Sequence, residues 1–121
     1  MNLPDFTVRT SLLHNPDGGY DLSVKFDFYK EDFHPYMQMQ DFSLMQEAMC
    51  SDERFKLFEG TIQSPSTNHE IKAIANNRLA WLRNCGFLST MNDKWMFSSR
   101  NYCGAIGIEY KRVYDNEEIY E

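Results

Sequence analysis

A chain of 121 residues, 42% apolar and 25% charged, supplies one core and one domain, which excludes wholesale disorder and a multidomain plan. The net charge of −6 argues against a plain nucleic-acid coat. Three cysteines without CxxC spacing, no positive-then-apolar leader and no apolar run near ~20 residues predict a soluble, cytosolic chain with free thiols and no membrane span.

The charge is unevenly spread. Residues 1–65 hold five basic and eleven acidic side chains, whereas residues 66–114 hold seven basic and three acidic ones. The tail DNEEIYE, residues 115–121, adds four acids. Aromatic residues make up 15% of the chain. That abundance suits an aromatic-rich sheet core, with Tyr and Trp left over for recognition surfaces.

In chain order, DFTVRTSLLH at 5–14 places Phe6, Val8 and Leu12 on one face. YDLSVKFDFYK at 20–30 alternates Tyr20, Leu22, Val24, Phe26 and Phe28 with Asp21, Ser23, Lys25 and Asp27. This period of two predicts paired strands with one face buried and one wet. NPDGG between them supplies the fixed φ of proline and the positive φ of glycine that a hairpin turn requires. Residues 31–40 form a connector, because Pro35 blocks a helix there. Asp41 opens a short helix over FSLMQEAM, and Ser51 with Asp52 and Glu53 opens a second that Gly60 ends, with a strand over RFKLFEGTI as the alternative. Residues 42–58 carry no single apolar stripe, so two short helices are expected rather than one.

Thr67-x-x-Glu70 has the spacing of a capping box. The helix that follows runs to about Cys85, with Gly86 just beyond its end. Ile71, Ile74, Ala75, Leu79, Trp81, Leu82 and Cys85 fall within an arc of roughly 160°. Arg78 lies in the middle of that arc. A lone buried guanidinium is costly, so Arg78 is expected to be paired or snorkelled, with Asp27 or Glu109 as candidate carboxylates; the alternative is an anchor for a ligand or partner reached through a cleft beside Trp81. KWMFSS at 94–99 and AIGIEYKRVY at 105–114 alternate and predict a second hairpin, with a turn at Gly104 and a bulge at Gly107. The pattern gives an α+β domain spanning residues 1–121: an antiparallel sheet from an N-terminal and a C-terminal hairpin, with two or three helices on one face.

No motif names a reaction. His14, His34 and His69 sit in different elements without ligand spacing, so no metal site and no cofactor is expected. GxSxG, GxxxxGK[ST] and GxGxxG are all absent. Cys85 would sit at a helix C-terminus, where the dipole disfavours a thiolate. The carboxylate runs around Glu31 and around Asp115 read as solvated surface before they read as acid–base pairs.

Two binding readings remain, from different classes. Three short helices followed by a hairpin, with Leu79-x-x-Leu82-x-x-x-Gly86-Phe87-Leu88 at the junction, resemble the helix-to-wing passage of winged-helix proteins. That resemblance spans about 50 residues and implies DNA contact through Lys72, Asn76 and Arg83, types suited to phosphates and base edges. The other reading is a non-catalytic inhibitor that neutralises a macromolecular partner, as immunity proteins and phage anti-defence proteins do. Acidic groups at Glu31, Asp32, Asp115, Glu117 and Glu118 would steer it to a basic surface, such as that of a nucleic-acid-binding enzyme, with Tyr36, Tyr114 and Tyr120 as anchors. This inhibitor reading is the leading expectation. A small-ligand binder or an enzyme without a recognisable motif stands third.

Overall fold

The computed structural model describes residues 2–14, 16–56 and 68–112. Strands β1 (Phe6–His14) and β2 (Tyr20–Phe28) pair antiparallel in the register Phe6↔Phe28 through His14↔Tyr20. Gly18 and Gly19 turn the chain with φ near +90°, a conformation that costs any other residue a steric penalty. The alternation of 20–28 therefore becomes the hairpin it predicts. Its burial is only half as expected. Phe6, Phe26 and Phe28 pack into the core or against it, while β1 is exposed from Arg9 outward, Leu12 and Leu13 included. Among the described side chains of the arm, those at its base are the ones packed by the core.

A short 3-10 turn at Lys30–Asp32 leads to Phe33, which bridges to Trp95, and the His34 amide donates to the Trp95 carbonyl at 2.9 Å. Helix α1 (Met39–Cys50) starts after Gln38, and helix α2 is the single turn Glu53–Lys56. Two short helices form, as the missing common stripe implies. Asp52 joins them: its Oδ1 accepts from the Arg54 amide at 2.9 Å, and its Oδ2 from the Arg54 guanidinium at 2.6 Å. Those bonds hold the Asp52 carboxyl below its ordinary range. Gly60 and Thr67 lie outside the described residues.

Helix α3 (Asn68–Asn84) buries Ile71, Ala75, Leu79 and Leu82. Gly86 adopts φ +85°. The Gly86 amide bonds to the Arg83 carbonyl, and the Phe87 amide to the Leu82 carbonyl. This double closure satisfies two orphan carbonyls and requires the left-handed residue that the sequence supplies. Strands β3 (Leu88–Met91) and β4 (Lys94–Phe97) follow, turning through Asn92 and Asp93, both at positive φ.

The second hairpin therefore sits one element earlier than its alternation predicts. Residues 99–106 form helix α4 instead of entering a strand. Ser99, Tyr102 and Cys103 are buried together, a spacing of three and four that only a helix brings to one face. Gly107 ends this helix at φ +79° rather than forming a bulge. The class is α+β, with the two hairpins as two separate two-stranded sheets. No helix among the described residues is long and apolar enough to cross a membrane.

The core is aromatic, as the composition suggests. Phe6 meets Phe26 edge-on at 5.6 Å, Phe26 meets Phe55 at 5.5 Å, and Phe33 meets Phe42 at 5.1 Å. Edge-to-face pairs add to their area burial.

Arg78 finds neither Asp27, which pairs with Arg9, nor Glu109. Its Nε donates to the Ala48 carbonyl at 2.8 Å, and its Nη2 to the Ser51 hydroxyl at 3.0 Å. Its guanidinium lies 4.1 Å from the Trp81 ring centroid, which explains why Trp81 stays exposed at the edge of the apolar arc. Arg78 is thus a cation from α3 placed on the C-terminal end of α1, where carbonyls lack intrahelical partners and the dipole is negative. Arg78→Ala is expected to cost about 2 kcal/mol in urea denaturation, and Arg78→Lys about half of that, because lysine keeps the charge but loses the fork and the stack. Equal stability of all three proteins would remove this role.

Candidate functional site

The most enclosed polar arrangement is built on Asp41, in the first turn of α1 and only 3% exposed. A buried carboxylate must be fully hydrogen-bonded to persist as an ion. Oδ1 accepts from the Ser99 hydroxyl at 2.6 Å and the Tyr110 hydroxyl at 2.9 Å. Oδ2 accepts from the Gln38 amide and from Arg112 Nη1, each at 3.0 Å. Four donors fill the sites two carboxylate oxygens offer. The Arg112 side chain is 10% exposed. It also donates to the Tyr36 carbonyl, and its guanidinium stacks 4.0 Å from the Tyr36 ring centroid. Burial, then the bond to Asp41, pushes the Tyr110 hydroxyl up from its ordinary pKa, so it remains a donor at neutral pH.

The five members arrive from four segments of the chain. Gln38 ends the connector, Asp41 begins α1, Ser99 begins α4, and Tyr110 and Arg112 lie on the chain beyond Gly107. That last segment is also tied to α1 by Gln40, whose side-chain amide donates to the Lys111 carbonyl at 2.7 Å. The cluster walls a cavity of about 260 Å³ whose other sides are Ser89, Met91, Met96 and Arg100. With four donors on its two oxygens, Asp41 ties these segments into one hydrogen-bonded network.

The predicted residues divide. Glu31, Asp32 and Tyr36 lie together on the connector: Glu31 and Tyr36 are exposed and Asp32 is half-buried. Lys94 donates to the Glu31 carbonyl, tying this stretch to β4. Tyr114, Asp115, Glu117, Glu118 and Tyr120 lie outside the described residues. On α3, Asn76 and Arg83 are exposed. Lys72 is engaged with Asp5 at 3.3 Å and lies 5.3 Å from the Phe6 ring centroid. Arg83 borders a shallow cleft with Gly86, Ser89, Thr90 and Trp95. Among the described residues no group of three His, Cys, Asp or Glu side chains is placed to hold a metal. Cys103 is buried, and burial followed by Glu47 pushes its thiol up, which works against a thiolate nucleophile.

Sequence reasoning read Asp41 only as a helix opener and did not single out Ser99, Tyr110 or Arg112. The one local signal was the Gln38-to-Asp41 spacing. Compared with known proteins, the chain matches no family model, no curated protein and no solved structure.

Asp41→Ala is expected to destabilise the fold by about 3–5 kcal/mol, because it leaves the Arg112 charge buried and unpaired. Replacing the pair, Asp41→Leu with Arg112→Met, is expected to recover only part of that loss, because the Ser99 and Tyr110 hydroxyls and the Gln38 amide lose their acceptor. Urea denaturation of the three variants checks both. A loss under about 1 kcal/mol for Asp41→Ala would show that the pair does not hold these elements together.

Proposed function

We propose that this is a non-catalytic, cytoplasmic binding protein that neutralises a macromolecular partner with a basic surface, in the manner of immunity and anti-defence inhibitors. The supporting observation is the state of Tyr36. Its ring is 55% exposed, yet Arg112 clamps both the ring face and the main-chain carbonyl. A large aromatic ring held rigid at a surface loses little conformational freedom on binding, which is the property of an interface anchor. Exposed Met39 and Met91 belong to the same region, Met91 sharing the cavity wall with Tyr36. Methionines adapt to irregular partner surfaces.

Glu31 and Asp32 supply acidity on the same connector. Lys30 and Lys94 stand beside them, so long-range steering comes from the whole chain, net −6, more than from this patch. The free cysteines suit a reducing compartment.

Affinity capture from the native host with wild-type and Tyr36→Ala baits tests the reading, followed by titration of the captured protein. Tyr36→Ala is expected to weaken binding by at least about thirtyfold, as loss of an anchor does. Glu31→Gln with Asp32→Asn is expected mainly to slow association at low salt. Capture that is identical for all baits would sink the proposal.

One observation favours DNA binding as a second reading. α1, α2, α3 and the β3–β4 hairpin follow one another in winged-helix order, with Asn76 and Arg83 facing out. Against it, Lys72 is occupied by Asp5, and Glu70 is exposed on the same helix. Fluorescence anisotropy with a duplex at low salt is expected to give no binding at about micromolar protein. Binding that Arg83→Ala abolishes would put this reading first.

A further inference from the structure

The two edges of the β1–β2 arm are finished differently. On β2, Gln46 of α1 reaches the outer edge: its Oε1 accepts from the Phe26 amide at 3.1 Å, and its Nε2 donates to the Phe26 carbonyl. The Cys50 thiol lies 3.6 Å from the Val24 carbonyl on the same side. Helix α1 therefore closes that edge. Those bonds also fix which way β1 presents its backbone. Phe26 turns both its polar groups outward, so the Val8↔Phe26 position is a non-hydrogen-bonded pair of the ladder. By alternation, the N–H and C=O of Val8, Thr10 and Leu12 all point away from β2. Among the described residues, no group bonds to the backbone of these three on that side.

Open edges are normally guarded by charge, proline or a bulge. β1 has no proline, and its one formal charge, Arg9, is neutralised by Asp27 at 2.5 Å. The formal charges of the two strands, Arg9 and Lys25 against Asp21 and Asp27, cancel in a chain of net −6. The arm is therefore the part of the molecule on which two copies meet without repulsion.

We propose that β1 pairs antiparallel with β1 of a second copy of this chain, about a two-fold axis at Thr10. This inference is independent of the partner-binding reading. Thr10 is the centre of the nine-residue strand, so this register is symmetric about it and pairs the stretch from Val8 to Leu12. Val8 pairs with the second copy's Leu12, and Thr10 with its own counterpart, each exchanging both backbone bonds. Leu12, 58% exposed, then lies beside a half-buried Val8 and extends the apolar face that the helices leave uncovered. On the other face Leu13 comes to lie opposite Thr7, and Arg9 opposite Ser11, with no like charges directly facing. Because α1 occupies the β2 edge at Phe26 and Val24, a further copy cannot add along the length of that edge. The assembly closes at two copies rather than growing into a fibre.

Sedimentation velocity of the full chain from about 1 to 200 μM tests this by mass action. The wild type is expected to dimerise in that range. Thr10→Pro removes an N–H that has no partner among the described residues and sits where an edge strand tolerates proline. It is expected to raise the dimer dissociation constant at least tenfold, with circular dichroism and melting unchanged. Leu12→Lys, which leaves the ladder intact, is expected to do the same and decides the matter if Thr10→Pro fails to fold. A wild type that stays monomeric to about 200 μM, or a dimer that neither variant weakens, overturns the proposal.

Discussion

Four donors converge on the Asp41 carboxylate, three of them from far along the chain. Ser99, Tyr110 and Arg112 lie 58, 69 and 71 residues away along the chain. A buried ion of this kind has little slack. Desolvation makes the unpaired carboxylate expensive, so the connector, α1, α4 and the chain after Gly107 are held to one mutual arrangement. Stability is not its main product, since an apolar set of the same volume often serves equally well. Its product is position. Arg112 is bonded to Asp41, and Tyr36 is in turn held by Arg112, so the exposed ring is positioned through a buried pair.

The same helix is governed from both ends. Asp41 sits in the first turn of α1, where the dipole is positive, and Arg78 reaches across from α3 to the last carbonyls, where it is negative. Gln46 and Cys50, from the middle and end of α1, meet the backbone of β2. α1 is therefore the element on which the N-terminal arm, α3 and the C-terminal segment are all indexed. The apolar residues Met45, Ala48 and Met49 fill its inner face. Its polar residues determine what lies where.

The arm illustrates a limit of periodicity. Perfect alternation along β2 identifies a strand and the side of it that is apolar, but not whether anything covers that side. The helices are shorter than the strands they pack on, and among the described side chains of the hairpin those at its base are the ones packed by the core. A similar limit explains the misplaced second hairpin. Ile106, Ile108 and Tyr110 alternate, yet Ser99, Tyr102 and Cys103 at helical spacing win because their burial completes the core beside Phe87 and Phe97. Four-residue strands such as β3 and β4 offer too few alternations to compete in a pattern search. Their Asn92-Asp93 turn was the stronger signal.

Local chemistry by itself determined the first hairpin and its Gly18-Gly19 turn, the division of 39–56 into two short helices, the course of α3 and its stop at Gly86, and the α+β class. Each of these depends on residues within a few positions of one another, where dihedral preference and periodicity act directly. Tertiary structure alone decided what Arg78 binds, that Asp41 and Arg112 pair, which edge of the arm is closed, and that 99–106 is helical. Charge pairing and burial act through space, and at separations of 30 to 71 residues the chain carries no local trace of its partners.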